Sequence, residues 1–256
     1  MMRVVKIGGR AQADPNLFAL LAKVWNRSPK SLCIVHGGGD EVSAMQRALG
    51  REASFIGGRR VTSKDDLDLL RIVLSGVVNK GLVNGLVAAG VPAVGLSGED
   101  GALITAATID ADTLGFAGRP TGINSRLLRA LMDAGNLPVI SPVAYDGESA
   151  EGGALNVNGD DAAAAIAGAL QADELLLIAD VEGVRDGQSG VVPVLSLESA
   201  RELVDNGTAV GGMAAKLESA SAALLAGVER VRICDIAGLT DEGRGTFITQ
   251  SQSVVI

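Results

Sequence analysis

Aromatic residues are scarce in this chain and make up only 2% of its 256 residues. Proteins that bind single-stranded nucleic acid stack bases on aromatic side chains, so this composition disfavours that class. The net charge of −8 points the same way, because a duplex-binding surface needs a basic field. We therefore expect no nucleic acid among the partners, whereas a small anionic substrate requires only a few locally gathered basic groups.

Cysteine is equally rare, and the only two residues, Cys33 and Cys234, lie in apolar runs about 200 positions apart. Such cysteines are typical of small buried side chains rather than of a disulfide or a metal site. The N-terminus lacks a secretory pattern, and no run approaches the roughly 18 consecutive apolar residues that cross a bilayer. The sequence thus predicts a cytoplasmic protein with no membrane partner and no protein-held metal.

The chain has a single histidine, His36, within an HGGG turn at residues 36–39. Turns of this type contribute to the oxyanion hole of many esterases, and GLSG at residues 95–98 resembles half of a nucleophile elbow. However, Glu99 replaces the second glycine of the elbow, and the triad of that fold needs a histidine after the nucleophile. An α/β-hydrolase-type esterase therefore stays only a distant alternative.

Short β-branched runs alternate with longer alanine- and leucine-rich segments, which predicts βα units around a mainly parallel sheet. With 47% hydrophobic residues, the chain can build one sizeable core rather than several. The polar segment 144–154 is expected to form a hairpin or an exposed loop. The predicted strands cover residues 3–7, 31–35, 93–96, 103–109, 137–143, 174–179 and 230–235, and the predicted helices cover 16–27, 40–49, 64–89, 125–134, 160–170, 197–206 and 214–226.

Three glycine turns stand beside basic or polar residues: VVKIGG at residues 4–9, VHGGG at 35–39 and GGMAAK at 211–216. A lysine and bare backbone N–H groups at the carboxyl end of a strand suit an anionic ligand. Neither the P-loop pattern nor the G-x-G-x-x-G fingerprint is present, so a nucleotide would be held by another arrangement that uses helix N-termini. These residues predict phosphoryl transfer.

The run NVNGDD at residues 156–161 places two amides before an acidic first helical turn. Helix capping and dipole complementarity alone account for acids at such a position. However, Asn156 and Asn158 would share one face of an extended segment, and that face can bind a carboxylate or an amide of a substrate. Both interpretations stay open at this stage.

Taken together, these motifs resemble the amino acid kinase family over almost the whole length of the chain. Their order and spacing are more specific than any one motif alone. The matching motifs are VVKIGG (4–9), VHGGG (35–39), RVT (60–62), VNK (78–80), GLSGEDG (95–101), NVNGDD (156–161), ADVEGV (179–184) and GGMAAK (211–216).

The resemblance implies a single α/β domain over residues 1–256: a three-layer sandwich with a twisted, mostly parallel eight-stranded sheet between helices. It also implies that Lys6 and Lys216 are catalytic lysines flanking the transferring phosphoryl group, with Asp160 orienting them. On the same grounds, Gly38, Gly39, Arg60 and Asn156 fall on the site for an acyl amino acid, and Gly8, Gly9, Asp180, Val181, Glu182, Gly183, Val184, Arg185, Thr208, Ala209 and Val210 fall on the ATP site.

The reaction implied by the resemblance is transfer of the γ-phosphoryl group of ATP to the side-chain carboxylate of N-acetyl-L-glutamate, in arginine biosynthesis. A glutamate carboxylate is already ionised at neutral pH, so this attack needs no general base. The main task is charge neutralisation in a loose transition state by lysines, backbone dipoles and Mg²⁺ held mainly through the nucleotide phosphates. We expect residues 1–170 to bind the acyl amino acid and residues 171–256 to bind ATP.

The identity of the acceptor stays open, because the chain departs from the family pattern at residues 55–59, at Asp161 and at residues 214–215. The alternatives are N-acylated or carrier-bound aminoadipate and N-succinylglutamate, since one methylene changes binding by only about 1–3 kcal/mol. Arginine-inhibited hexameric relatives carry an added N-terminal helix, so the resemblance implies a homodimer without that feedback. The apolar helix predicted at residues 64–89 is the expected dimer contact, although burial within one subunit would account for its apolar residues equally well.

Overall fold

One sheet of eleven strands runs through residues 1–185 and 190–250, the part of the chain that the computed structural model describes. A separate hairpin is formed by β3 and β4. The strands are β1 (Arg3–Ile7), β2 (Leu32–His36), β3 (Phe55–Ile56), β4 (Arg59–Arg60), β5 (Ala93–Gly98), β6 (Ile104–Thr108), β7 (Ala117–Ile123), β8 (Leu137–Asp146), β9 (Ala154–Val157), β10 (Glu174–Ile178), β11 (Val194–Ser196), β12 (Arg230–Cys234) and β13 (Thr246–Thr249).

The centre of the sheet is parallel. Strand β1 lies between β10 and β2, β12 pairs with β10, and β8 pairs with both β2 and β5, all in parallel register. Antiparallel pairs lie further out, between β12 and β13, β6 and β7, and β8 and β9. Every residue of β1, β2 and β10 is buried, as expected for parallel strands covered on both faces.

Helices cover both faces of the sheet, and alternate strand residues divide between two cores. Val4 packs in one core with the helices Ser125–Asp133, Gly159–Leu170 and Gly211–Leu225, whereas Val5 packs in the other with the helices Leu17–Arg27, Lys64–Leu70 and Asn79–Ala88. The three-layer α/β architecture predicted from the sequence is therefore confirmed. The helices are α1 (Leu17–Arg27), α2 (Gly39–Ala48), α3 (Lys64–Leu70), α4 (Asn79–Ala88), α5 (Ala111–Leu114), α6 (Ser125–Asp133), α7 (Gly159–Leu170), α8 (Leu197–Asp205) and α9 (Gly211–Leu225).

Within the described residues the main sheet has eleven strands rather than the eight that the family resemblance implies. The sequence pattern predicts seven of them and misses β7, β9, β11 and β13, which lack a long apolar run of their own. Strand β7 contains two glycines and a proline, and β9, β11 and β13 are only three or four residues long. Hydrogen bonds to a neighbouring strand, rather than a strand-forming composition, hold each of them in the sheet. The polar segment 144–154 does form a hairpin, in which Tyr145 of β8 pairs with Ala154 of β9.

The predicted helix at residues 64–89 is one continuous helical run with a π-helical centre, Arg71–Val78, between α3 and α4. The run Lys64–Ala88 is long and apolar enough to cross a membrane by length and composition, a test that the core helix of a globular protein also meets. One side of the run is buried in the core through Leu67, Leu74 and Leu82.

Candidate active site

A cleft of about 470 Å³ opens at the carboxyl ends of β1 and β2. Its walls come from the two glycine turns that follow these strands, from the β3–β4 hairpin and from the start of α7. Ligands of open α/β sheets bind at this edge, because loops and helix N-termini converge there. The fold therefore brings three of the predicted motifs, at residues 4–9, 35–39 and 156–161, into one cavity.

Two lysines from distant parts of the chain meet on one carboxylate at this cleft. The Lys6 Nζ lies 2.9 Å from Asp160 Oδ1, and the Lys216 Nζ lies 3.1 Å from Asp160 Oδ2. Lys6 comes from β1, Asp160 is the second residue of α7, and Lys216 is the sixth residue of α9. Since Lys6 and Asp160 are both buried, the three groups form a charged centre that is largely shielded from water.

Burial and neighbouring charge act against each other in this centre. Burial lowers the pKa of Lys6, the nearby Lys216 lowers it further, and only the Asp160 carboxylate opposes them. Burial would raise the pKa of Asp160, but the two ammonium groups outweigh it and hold that pKa below its usual value. The arrangement therefore keeps an ionised carboxylate between two cations.

The start of α7 is shaped to bring Asp160 close to β1. Asn158 caps the helix, since its side-chain oxygen accepts a hydrogen bond of 2.8 Å from the Asp160 N–H. A Cβ atom added at Gly159 would lie only 3.2 Å from Lys6 Cε, so a side chain there would crowd the lysine. One of the two predicted amides thus serves as a helix cap, although Asn158 also lines the cleft.

Arg60 is held rigidly against one wall of the cleft. Its Nη1 donates to Gln46 Oε1 at 2.6 Å, and its Nη2 donates to Gly39 O at 2.9 Å and to Ser43 Oγ at 2.8 Å. The guanidinium also lies 4.7 Å from the centre of the Phe55 ring. These contacts fix the guanidinium plane, which suits two-pronged recognition of a carboxylate. Sequence patterns gave no signal for the supporting residues of α2, because their pairing with Arg60 is long-range.

The other residues predicted for the acyl amino acid also lie at the cleft. Gly38, Gly39 and Asn156 line it, and Asn156 Nδ2 donates to Thr62 Oγ1 at 3.0 Å. A side chain at Gly38 would collide with Leu74, because an added Cβ would lie 2.6 Å from Leu74 Cδ2. Their roles in binding stay predictions.

Of the residues predicted to bind ATP, only Gly9 is among those that line this cleft. Gly8 lies beside it, where an added Cβ would approach Ile178 O to 3.2 Å. The others follow the carboxyl end of β10 or precede α9, and residues 186–189 lie outside the described part of the chain. Most of these residues contact neighbouring elements of the fold. Asp180 pairs with Arg10 at 2.7 Å, Glu182 pairs with Arg244 at 2.8 Å, the Val184 N–H donates to Thr246 Oγ1, Gly183 packs against Thr246, and Arg185 forms a β-bridge with Val191. Val181 is exposed, the Thr208 N–H donates to Asn206 Oδ1, the Ala209 N–H donates to Leu203 O, and Val210 is the residue that precedes α9.

The single histidine is part of the framework of the cleft. His36 is fully buried, its Nδ1 donates to Gly37 O at 2.7 Å, and its Nε2 accepts from Asn79 at 3.1 Å. Burial lowers its pKa to about 4, so the imidazole is neutral near pH 7. Ser97 donates to Val143 O instead of to a base. These contacts weaken the esterase alternative further, because the serine has no histidine beside it.

Metal donors are sparse at the cleft. Within residues 1–185 and 190–250, no three His, Cys, Asp or Glu side chains are grouped so that they could hold a metal ion. The buried carboxylate of Asp160 already accepts from two lysines.

The comparisons with known proteins agree with this geometry. Residues 1–235 match the model of the amino acid kinase family. An acetylglutamate kinase of Cereibacter sphaeroides is 42% identical over 260 residues, which cover 97% of this chain and 88% of the relative. The crystal structure of smu.665 from Streptococcus mutans superposes with a TM-score of 0.87 at 33% identity and covers 98% of this chain and 99% of that one.

A second solved structure is the N-acetylglutamate synthase of Neisseria gonorrhoeae in complex with coenzyme A and L-arginine. It is 27% identical with a TM-score of 0.80, and the match covers 98% of this chain but 61% of the synthase. The family match and the relatives named acetylglutamate kinase place this α/β fold among the phosphotransferases. The chain belongs to the amino acid kinase family.

The electrostatics of the buried centre predict a pH dependence for phosphoryl transfer. Lys6 is predicted to act as a protonated cation in this reaction, and burial lowers its pKa, so we expect the rate to fall at a lower pH than it would with an ordinary lysine. Replacing Asp160 by Asn removes the one group that raises this pKa. We therefore expect Asp160→Asn to lower kcat and to move the alkaline limb of its pH profile to lower pH.

The measurement is the pH profile of kcat at saturating substrates for the native protein and for Asp160→Asn. Asp133→Asn, an exposed carboxylate at the end of α6, is the matched control and should leave the limb in place. An unchanged alkaline limb in Asp160→Asn would contradict the electrostatic role of this carboxylate.

Proposed function

We propose that this chain is an acetylglutamate kinase, which transfers the γ-phosphoryl group of ATP to the side-chain carboxylate of N-acetyl-L-glutamate. The product is an acyl phosphate, and arginine biosynthesis is the usual pathway of this reaction. One observation carries the proposal: two lysines from opposite ends of the chain converge on a single buried carboxylate at the cleft. Several relatives with the same named activity, at 38–42% identity, support it.

The obstacle in this reaction is repulsion between an anionic nucleophile and an anionic phosphate. The acceptor carboxylate is already ionised, so the protein does not need to remove a proton from it. Lys6 and Lys216 would instead place positive charge on both sides of the moving phosphoryl group. Such preorganised charges act strongly in a site that excludes water. Magnesium bound to the nucleotide phosphates would add further neutralisation there.

The acceptor would be positioned by the wall opposite the lysines. The guanidinium of Arg60 would bind the α-carboxylate in two-pronged fashion, with Asn156 and the backbone of Gly38 and Gly39 around the acyl amide. Orienting the acceptor in this way lowers the activation barrier, because the reacting atoms are already held in the geometry of attack.

The proposal also assigns one substrate to each half of the chain. Residues 1–170 would bind the acyl amino acid, and residues 171–256 would bind ATP through residues 180–185 and 208–210 together with Gly8 and Gly9. The support is that Lys6 and Asp160 belong to the first part whereas Lys216 belongs to the second. Chemistry would then occur where the two parts meet.

A cytoplasmic location belongs to the same proposal. Cys33 and Cys234 are free thiols, and both are buried. Burial raises the pKa of Cys234 to about 12 and raises that of Cys33 further, so neither thiol is ionised near neutral pH. Inert free thiols fit a reducing compartment, where disulfides are rare.

The decisive experiment is coupled ADP release with a panel of acceptors. We expect the highest kcat/KM with N-acetyl-L-glutamate, compared with N-acetyl-aminoadipate and N-succinyl-glutamate. We also expect Lys216→Ala to lower kcat by about 10²–10³, as deletion of one preorganised charge-stabilising donor does. Lys23→Ala, at an exposed position of α1, is the control and should retain the native rate.

Two outcomes would overturn the assignment. Absence of ADP release with every acceptor would argue against a kinase of these substrates. Turnover of Lys216→Ala close to the native rate would remove that lysine from the mechanism, even if the native protein is active.

Arg60 provides a separate test of the acceptor site. Lysine at this position keeps the charge but cannot form the two-pronged contact. Because one charge-assisted hydrogen bond is worth about 1.5–3 kcal/mol, we expect Arg60→Lys to raise the KM for the acceptor by about 10-fold or more. The KM for ATP, measured in the same assay, should change little. An unchanged acceptor KM would disprove this role.

A homodimer is also proposed, formed through the helical run Lys64–Ala88. Ile72 and Val77 project from its π-helical centre with 61% and 62% of their surfaces exposed, and Val87 follows in α4 with 54% exposed. Large exposed apolar side chains along one helix suit an interface with a second copy of the chain. The opposite side of the run is buried in the core of its own subunit.

The dimer can be tested by sedimentation or light scattering. We expect the native protein to have twice the mass of one chain and Val77→Asp to shift towards the monomer, because a charge in an apolar interface is costly. Leu49→Asp, which alters an exposed leucine at the end of α2, should leave the mass unchanged. A native protein with the mass of a single chain would refute the proposed interface.

A further inference from the structure

Two adjacent aspartates at the start of α7 have different partners. Asp160 binds the two lysines, whereas Asp161 accepts from Arg59 Nη1 at 2.6 Å and from Ser219 Oγ at 2.7 Å. The three side chains of this second set are partly or fully buried: Arg59 is 29% exposed, Asp161 is 19% exposed, and Ser219 is 1% exposed. Neither contact is required by the chemistry described above.

Asp161 thus connects Arg59 with Ser219, and Arg59 lies next to the proposed acceptor site. Arg59 and Arg60 are the only two residues of β4, so they move together. Arg60 is in turn fixed to α2 through Ser43 and the Gly39 carbonyl. Any shift of the hairpin on acceptor binding would therefore also move Arg59.

The Ser219 end leads to the helix that carries Lys216. Ser219 lies three residues after Lys216 in α9, so the two side chains project from the same side of the helix. Lys216 reaches Asp160 and Ser219 reaches Asp161, so two neighbouring contacts fix the rotation of α9 against α7. A rotation of α9 about its axis would break both contacts.

The hairpin also approaches α9 directly. Its turn residues Gly57 and Gly58 have positive φ angles of 55° and 75°, which glycine adopts without strain. A Cβ atom added at Gly58 would lie 3.6 Å from the carbonyl oxygen of Gly211, the first residue of α9. The hairpin therefore meets α9 at its first residue and, through Asp161, again two turns further along.

We propose that Asp161 is a positioning residue that couples occupancy of the acceptor site to the placement of Lys216. The proposal rests on the proposed function, since it assigns the acceptor to the hairpin side and the phosphoryl group to the lysines. With the acceptor bound, the series of contacts that runs from Arg60 and Arg59 through Asp161 to Ser219 would hold α9 in place. In that position of α9, Lys216 would stay at the reacting phosphate. Binding of acceptor and nucleotide would then be reciprocally favourable.

The surroundings of Asp161 determine how the test is designed. Asp161 and Arg59 border a groove of about 350 Å³ that Arg119 and Glu218 also line. When Asp161 is replaced by Asn, Arg59 can approach Glu218 instead, because this second carboxylate lines the same groove. Both partners of the pair therefore need to be changed, singly and together.

The test measures the dissociation constant of N-acetyl-L-glutamate by titration calorimetry, with and without a non-hydrolysable ATP analogue and Mg²⁺. For the native protein we expect the analogue to tighten acceptor binding by at least 5-fold, within the usual range of coupling between sites. Asp161→Asn keeps the shape and removes the charge, so this factor should fall to below about 2-fold. Arg59→Gln should lower the coupling factor in the same way. The double variant should lose no more of the coupling than either single variant, because each single variant already removes the same interaction.

Arg129→Gln is the matched control. Arg129 Nη2 donates to Leu170 O at 2.9 Å, so this variant removes an arginine contact from the opposite end of the same helix α7. It should leave the coupling factor at its native value. Arg59→Lys retains the charge and should preserve more of the coupling than Arg59→Gln does.

The outcomes separate this inference from the proposed function. Loss of coupling in Asp161→Asn and Arg59→Gln, with native coupling in Arg129→Gln, supports the positioning role. A native protein that releases ADP but shows no coupling, or variants that melt at lower temperature yet keep the native factor, would overturn the inference and leave the function standing. Absence of ADP release from the native protein would overturn the function first. If Asp161→Asn fails to fold, the more exposed Arg59→Gln decides the question.

Discussion

The whole site depends on one carboxylate that is buried between two ammonium groups. Two cations this close would repel each other, and burial would drive the proton off Lys6, if Asp160 did not supply the opposite charge. The carboxylate in turn stays ionised only because both lysines are present and because it lies in the first turn of α7, where the helix dipole favours negative charge. The three groups thus stabilise one another and together carry one surplus positive charge.

The shortage of large side chains is what allows this convergence. Helix α7 contacts β1 and α9 through alanines such as Ala162, Ala167 and Ala223, all fully buried. A Cβ atom added at Gly168 of α7 would lie only 2.7 Å from Ala226 Cβ, so the two helices nearly touch there. Small residues let backbones approach closely, and only then can the short side chains of the two aspartates reach α9. The close approach of α7 and α9 therefore brings Asp160 and Asp161 to their partners on α9.

The sequence predicts more of the fold than of the fine structure of the site. The bounds of β1 match the prediction, because its apolar run and the glycine turn after it leave local signals. The meeting of Lys6, Asp160 and Lys216 is expected from the family resemblance rather than from local patterns. The support of Arg60 by α2 leaves no such signal, since it pairs side chains far apart in the chain. The same holds for Arg59 with Asp161. Short strands such as β11 are missed because neighbouring strands, rather than composition, hold them in place.

The distribution of charge explains how an acidic protein can serve anionic substrates. The chain carries a net charge of −8, yet the cleft is lined by Lys6, Arg47, Arg59 and Arg60 against Asp40 and Asp160. A low-dielectric cleft of one sign concentrates ligands of the other sign even when the total charge repels them. In the proposed mechanism, cations rather than a base do the chemical work, so any ionised carboxylate of suitable length could react at the lysines. Selection among acceptors would then depend on the far end of the molecule, where the guanidinium of Arg60 would set the distance between the two carboxylates.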